Sequence, residues 1–393
     1  MERPTGLKRP EFWQALGEGP LSENVQLAWD TIMQEPTQGI PSWLLHPMEH
    51  AHIERLAGAQ PGEYARDPER VYLAMQRAVG TCLLDQFIPD NPLTMGAHGY
   101  ENPERGATTG AEELVLDGIR IESPESVVEH LERFEFPRLR RMIAEFDEES
   151  WVDGIIQSEA EIQRKLGPTI LKSGHGFVAF PGLAYTTYGY VPYFTALGVY
   201  PEVMERHFAL QADLALLVNG AVARAYQEAG LPPLFRLDHD MADSRGLLVN
   251  PRVLDRLWFP HFARCLQPLV EIGVRLIWHC DGNLMDMVPR LLEVGIAGFQ
   301  GFQYEDGMDY ERICGLRTRD GRPLIIIAGV SVTRTLPFGS PQDVKREMEF
   351  LVRHGPHVGL FLGGSSSIAP GVRWENIEML VEGLRYYRTH GRG

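Results

Sequence analysis

The sequence predicts an α/β fold, a (β/α)8 TIM barrel, and three observations carry that expectation. From about residue 230, short β-branched or aromatic runs alternate with segments of helical period, the mark of βα units on a parallel sheet. Each run ends in polar residues or glycine, as strands do where βα loops converge. Together with three runs upstream, the strands number the eight that close a parallel barrel.

Residues 1–38 read as an N-terminal helical arm, and 39–393 as the barrel. IPSWLLH (40–46) is the first expected strand. Helices over about 48–56 and 68–79 follow, and TCLLDQFIP (81–89) is the second strand. The interval of about 91–151 interrupts the cadence and reads as an insertion: ELVLDGIRIES looks like a hairpin across Asp117-Gly118, with charged helices behind it. GPTILKSGHG (167–176) supplies the third strand and LFRLDHD (234–240) the fourth. Then come a helix over 251–273, the strand VRLIWHC (274–280), a helix over 284–295 and the strand AGFQGFQ (297–303). LIIIAGV (324–330), a helix over about 341–354, GLFLGGS (359–365) and a helix over about 374–388 complete the barrel. A doubly wound open sheet is the alternative architecture, but no glycine-rich phosphate fingerprint follows the first strand.

The chain has 393 residues, 44% of them hydrophobic and 23% charged, enough for one large domain or two smaller ones. Its formal charge of -16 and pI near 5.3 argue against nucleic acid and anionic membranes as partners, because those surfaces select a basic face. No apolar run approaches the roughly 20 residues that span a bilayer. The four cysteines lack paired spacing and the N-terminus lacks a secretory apolar segment, so a cytoplasmic protein is expected.

The expected strand ends carry His46; Asp238, His239 and Asp240; His279, Cys280 and Asp281; Gln303, Tyr304 and Glu305; and the serines 365–367. In a barrel these polar groups share one face. Side chains alternate along a strand, so His279 and Asp281 face one way and Cys280 the other. Glu305 lies 26 residues beyond His279, one helix and one strand further round. His279, Asp281 and Glu305 with an open fourth position make a catalytic zinc arrangement, though oxygen-rich sets also suit manganese or iron. The bland alternative is that His279 and Asp281 bond each other and cap the next helix. HPMEH (46–50) matches the inverted zinc-protease pattern, but Pro47 places His46 at a helix start rather than inside one, and His46 reads better as a pocket residue. His175 and Tyr185 sit in a glycine- and aromatic-rich segment that suits a pocket wall or a loop.

The run WHCDGNLMDMVPRLLEVGIAGFQGF, with LDHDMADSRGLLVNP before it and GLFLGGSSSIAPGVRWENIEMLVEGLRYY after it, resembles the uroporphyrinogen decarboxylase superfamily. Over about residues 39–389 the chain is most similar to that superfamily's cobalamin-dependent methyltransferases. Such enzymes bind zinc through an H-x-C pair, an acid one strand later and a cysteine on the last strand. His279 matches the histidine, Asp281 stands where the cysteine would be, and Glu305 stands where the acid would be. Ser365, Ser366 and Ser367 occupy the segment of the last cysteine, so two thiolates of the pattern are absent.

The resemblance implies methyl transfer between a small substrate, such as a methyl ether, and a corrinoid (cobalamin), with a divalent metal, zinc by family, as Lewis acid. No D-x-H-x-x-G signature is present, so the corrinoid would arrive on a separate partner protein. Asp240 resembles a substrate-facing acid, and Asp240 or His239 would supply the proton. His46, Asp238, Asn283, Gln303, Tyr304 and the three serines would line the substrate pocket. The alternatives are a metal-assisted decarboxylase or lyase of a small acid and a non-catalytic barrel. Porphyrinogen decarboxylation itself is not expected, because QGIPSWLLHPMEH lacks an arginine-rich loop.

Overall fold

The computed structural model describes residues 10–90 and 114–392. Among the described residues are eight short parallel strands: β1 (Leu83–Leu84), β2 (Leu171–Lys172), β3 (Gly174–His175), β4 (Leu234–Asp238), β5 (Arg275–His279), β6 (Ile296–Gln300), β7 (Ile325–Val330) and β8 (Leu360–Gly364). Six of them form a half-barrel sheet in the order β8-β7-β6-β5-β4-β3. Its central members are buried on both faces, which is why Ile325–Val330 is a continuous apolar run rather than an alternating one. β1 and β2 pair as a separate two-stranded parallel sheet, and only Ser173 separates β2 from β3. The first expected strand, IPSWLLH, is reduced to isolated bridges: Ser42 with Leu362 of β8, and Trp43 with Leu83 of β1.

Helices cover the sheet, and the best capped match their sequence signals. Pro68–Val79 begins behind Asp67, whose side chain accepts from Arg70 N–H, and stops at Gly80. Pro341–His354 opens with a capping box between Ser340 and Asp343. The helix expected over 251–273 is instead two, Pro251–Leu257 and Phe259–Glu271. The break at Trp258 lies just before Phe259-Pro260, where the proline removes a backbone donor. Trp258 stacks on Phe262 with centroids 4.3 Å apart, filling the bend.

The hairpin across Asp117-Gly118 is present as Val115–Leu116 and Ile119–Arg120, antiparallel, with both turn residues at positive φ as a type I′ turn requires. Helices Pro124–His130, Phe136–Ala144 and Glu148–Leu166 follow; the part of the expected insertion over 91–113 lies outside the described residues. The arm is helical over Glu11–Gln14 and Glu23–Met33 and docks on the molecule: Trp13 and Ile32 are buried, and Trp13 Nε1 donates to Gly230 O at 2.8 Å. Among the described residues one helix, Pro201–Ala229, is long and apolar enough to cross a membrane by length and composition. Half of that window is buried inside the molecule, and the helix packs against Glu148–Leu166 and Phe259–Glu271.

Candidate metal centre

The centre is built where β4 and β5 end. Asp238 and Gln300 flank His279 in the parallel register. Alternation then sorts β5: Trp278 packs outward against Trp258 and Phe262, while His279, 7% exposed, faces the interior. Cys280, just past the strand, is fully buried. Its Sγ accepts from Met241 N–H at 3.3 Å, and burial pushes its thiol up to about 12.

Past Asp238 the chain bends across β5. His239 N–H donates to His279 O at 3.3 Å, and Asp240 Oδ1 accepts from Asp281 N–H at 2.9 Å. This bend brings Asp240, His279 and Asp281 together, with one ligand atom of each within 4.8 Å of the others. Asp281 Oδ1 is enclosed without a hydrogen-bond partner, and so is His279 Nδ1. Burial raises the Asp281 carboxyl above its ordinary value, and the nearby carboxylates of Asp240, Asp238 and Glu305 raise it further against the opposing pull of His279. Among the described residues, only Asp238 of these four acids has an ion-pair partner: Arg236 at 3.0 Å and His279 Nε2 at 3.9 Å. A buried imidazole nitrogen, an orphaned carboxylate oxygen and an excess of negative charge together fit a divalent cation.

Glu305 lies outside this trio. β6 stops at Gln300 and Gly301, at φ +79°, turns the chain, so the expected strand ends three residues early: Gln303 falls in a loop, and Tyr304 and Glu305 follow in a short 3-10 turn. Glu305 Oε1 accepts from Thr333 Oγ1 at 2.6 Å and from Ser331 Oγ; its Oε2 is enclosed and unpartnered. Tyr304 donates to Glu347, and Gln303 Oε1 accepts from Gly282 N–H at 2.6 Å. Asn283 caps its own loop, Oδ1 accepting from Met285 N–H at 3.2 Å.

His239 Nε2 accepts from Leu183 N–H at 2.9 Å, and burial holds the imidazole below its ordinary value. The ring is neutral with its proton on Nδ1. Tyr185 OH donates to Asp240 O at 2.9 Å. A cavity of about 460 Å3 opens beside the centre, lined by Tyr185, Tyr190, Asp240, Asp281, Gln303 and Thr333 among others. His46 and the serines form a separate polar group. Ser367 Oγ and His46 Nδ1 are 2.9 Å apart; Ser365, 1% exposed, takes Val332 N–H on Oγ and Gln300 Nε2 on its carbonyl; Ser366 is half-buried.

Sequence reasoning missed the network behind Asp238. Arg236 and Asp85, both 3% exposed, form an ion pair that Trp43 Nε1 completes by donating to Asp85 Oδ1 at 2.9 Å. Burial would raise the Asp85 carboxyl, but Arg236 and His175 outweigh it and hold it at about 2. The signal was available: a charge in the middle of the apolar runs LFRLD and CLLDQ has no structural place unless it is paired.

No protein-family profile matches the chain, and no curated protein is significantly similar in sequence. Among solved structures, a methyltransferase from Methanosarcina mazei superposes with a TM-score of 0.54 at 17% identity, over 93% of this chain and 98% of that one. At that identity the likeness is one of fold.

Proposed function

We propose that this protein is a metal-dependent methyltransferase that moves a methyl group between a small substrate and a corrinoid carried by a partner protein. The observation that carries the reading is the trio Asp240, His279 and Asp281, with its orphaned oxygen, opening onto an aromatic-walled cavity. The fold shared with a methyltransferase supports it, as does the resemblance to the cobalamin-dependent branch of the uroporphyrinogen decarboxylase superfamily. On this reading the bridges at Ser42 and Trp43 join β8 to β1, and the continuation of β2 into β3 completes a closed TIM barrel.

Asp240, His279 and Asp281 would hold the ion, with Glu305 as the nearest further carboxylate. The ion supplies Lewis acidity to a leaving oxygen, such as that of a methyl ether. Zinc is the metal of similar enzymes, while two carboxylates and one imidazole also suit manganese or iron. The chain's own residues orient and enclose. Tyr185 fixes the Asp240 backbone, Leu183 fixes the His239 ring, and Gln303 fixes Gly282, so the loops around the cavity are held before substrate arrives. The tyrosine rings at 185 and 190, with centroids 4.7 Å apart, give the methyl-bearing end an apolar wall. His239, neutral with a proton on Nδ1, and Asp240 are the groups for moving a proton to the departing anion.

The test is demethylation of a panel of methyl ethers, amines and thiols, with and without reduced corrinoid. Turnover that requires the corrinoid and divalent metal supports the reading. Corrinoid-independent release of carbon dioxide from a small acid would replace it with the decarboxylase alternative.

A further inference from the structure

At the opposite ends of the strands, where β5 and β6 begin and the chain approaches β7, lies a cavity of about 350 Å3. Three arginines line it: Arg275, the first residue of β5, and Arg319 and Arg322 of the loop before β7. Arg322 Nε pairs with Asp320 at 3.0 Å. The other carboxylate on the wall, Glu271, accepts instead from Gln267 Nε2 at 2.8 Å. Among the described residues, neither Arg275 nor Arg319 has a carboxylate within ion-pair distance. Arg275 is half-buried: one guanidinium nitrogen, Nη1, donates to Gln34 Oε1 at 2.6 Å, and Nε is enclosed without a partner. Burial and the facing Arg322 hold Arg275 below the ordinary arginine value, against the opposing pull of Asp320.

A partly buried guanidinium beside like charge is unfavourable unless an anion joins it. Two unmatched guanidiniums ask for two negative charges, and their planar forks match tetrahedral oxyanions by paired N–H donors. We propose that this cavity binds a phosphate group, free or as a monoester, with Arg275 and Arg319 as its principal donors. The site stands independently of the methyl-transfer reading, since it lies at the far end of the sheet from Asp281. By tying the starts of β5 and β6 to the segment before β7, a bound phosphate would also stabilise the sheet.

The experiment is titration calorimetry on the full chain with inorganic phosphate and with glycerol phosphate, at an ionic strength fixed with potassium chloride. One site per chain is expected, weakened about tenfold or more by Arg275→Gln and by Arg319→Gln, and unchanged by Arg256→Gln on the exposed face of Pro251–Leu257. Whichever titrant binds more tightly identifies the source of the phosphate. Absence of heat above the chloride control, or equal binding by the wild type and both variants, overturns the proposal as an adventitious ion only. If Arg275→Gln does not fold, Arg319→Gln, exposed and outside the strands, decides the matter.

Discussion

His279 is held in place by what crowds it more than by hydrogen bonds, and the acids around it outnumber the cations. The trio geometry predicts that Asp240→Ala and Asp281→Ala each lose most bound divalent metal in elemental analysis after dialysis, while Cys280→Ser keeps it. Glu305→Gln separates two ligand sets: retention of metal supports Asp240 as the third ligand, and loss restores Glu305 to that place. A second prediction concerns Asp85, whose pKa falls from an ordinary 3.8 to about 2 on folding. A lowered carboxylate pKa contributes stability that is present above the unfolded value and is lost as pH falls through the folded one, here about 2 kcal/mol. Asp85→Asn should therefore cost about 2 kcal/mol or more in urea unfolding at neutral pH, because buried Arg236 loses its buried carboxylate and keeps only the more exposed Asp238. The variant's stability should also fall less than the wild type's on acidification to about pH 2. The meeting of His279 and Asp281 was legible in the sequence from their alternate spacing. The approach of Asp240 to His279 and Asp281 was not, because it depends on the bend after β4, which no strand period encodes; and Glu305 was expected at the end of a strand that stops at Gln300, short of its expected end at Gln303.

At the scale of elements, the close approaches in the sheet depend on glycine. A Cβ on Gly301 would lie 2.5 Å from His279 Nδ1, at a φ that side chains rarely adopt. Gly301→Ala should displace the imidazole and weaken metal binding more than it weakens folding, measured as metal affinity beside the urea midpoint. Gly329→Ala is the contrasting case. Its Cβ would lie 2.1 Å from the carbonyl carbon of Gly364, so β7 and β8 must move apart, at a cost of about 3 kcal/mol with no direct touch on the metal ligands. Helices announced by a cap and a proline, Pro68–Val79 and Pro341–His354, were legible to the residue, because the side chain that stops the helix is itself in the sequence. The first strand was not: IPSWLLH is apolar enough to be buried anywhere, and its pairing at Ser42 and Trp43 is set by neighbours more than 30 residues away.

For the whole molecule, the order of βα units was readable because burial on both faces writes itself as apolar runs, whereas the polar network of Trp43, Asp85 and Arg236 draws its members from segments far apart in the sequence. The placement of the thiols has a consequence for how the protein endures air. Cys82, Cys265 and Cys280 are buried and Cys314 is partly so; burial raises all four, the last three to about 12. Thiolate is the form that alkylating agents and peroxide attack. Iodoacetamide at about pH 8 should therefore label the folded chain at least about tenfold more slowly than the urea-unfolded one. With carboxylates and imidazole at the candidate metal centre in place of sulfur, a chain exposed to oxygen should keep its ligand set intact, and only the reduced corrinoid of the proposed reaction would demand anaerobic handling.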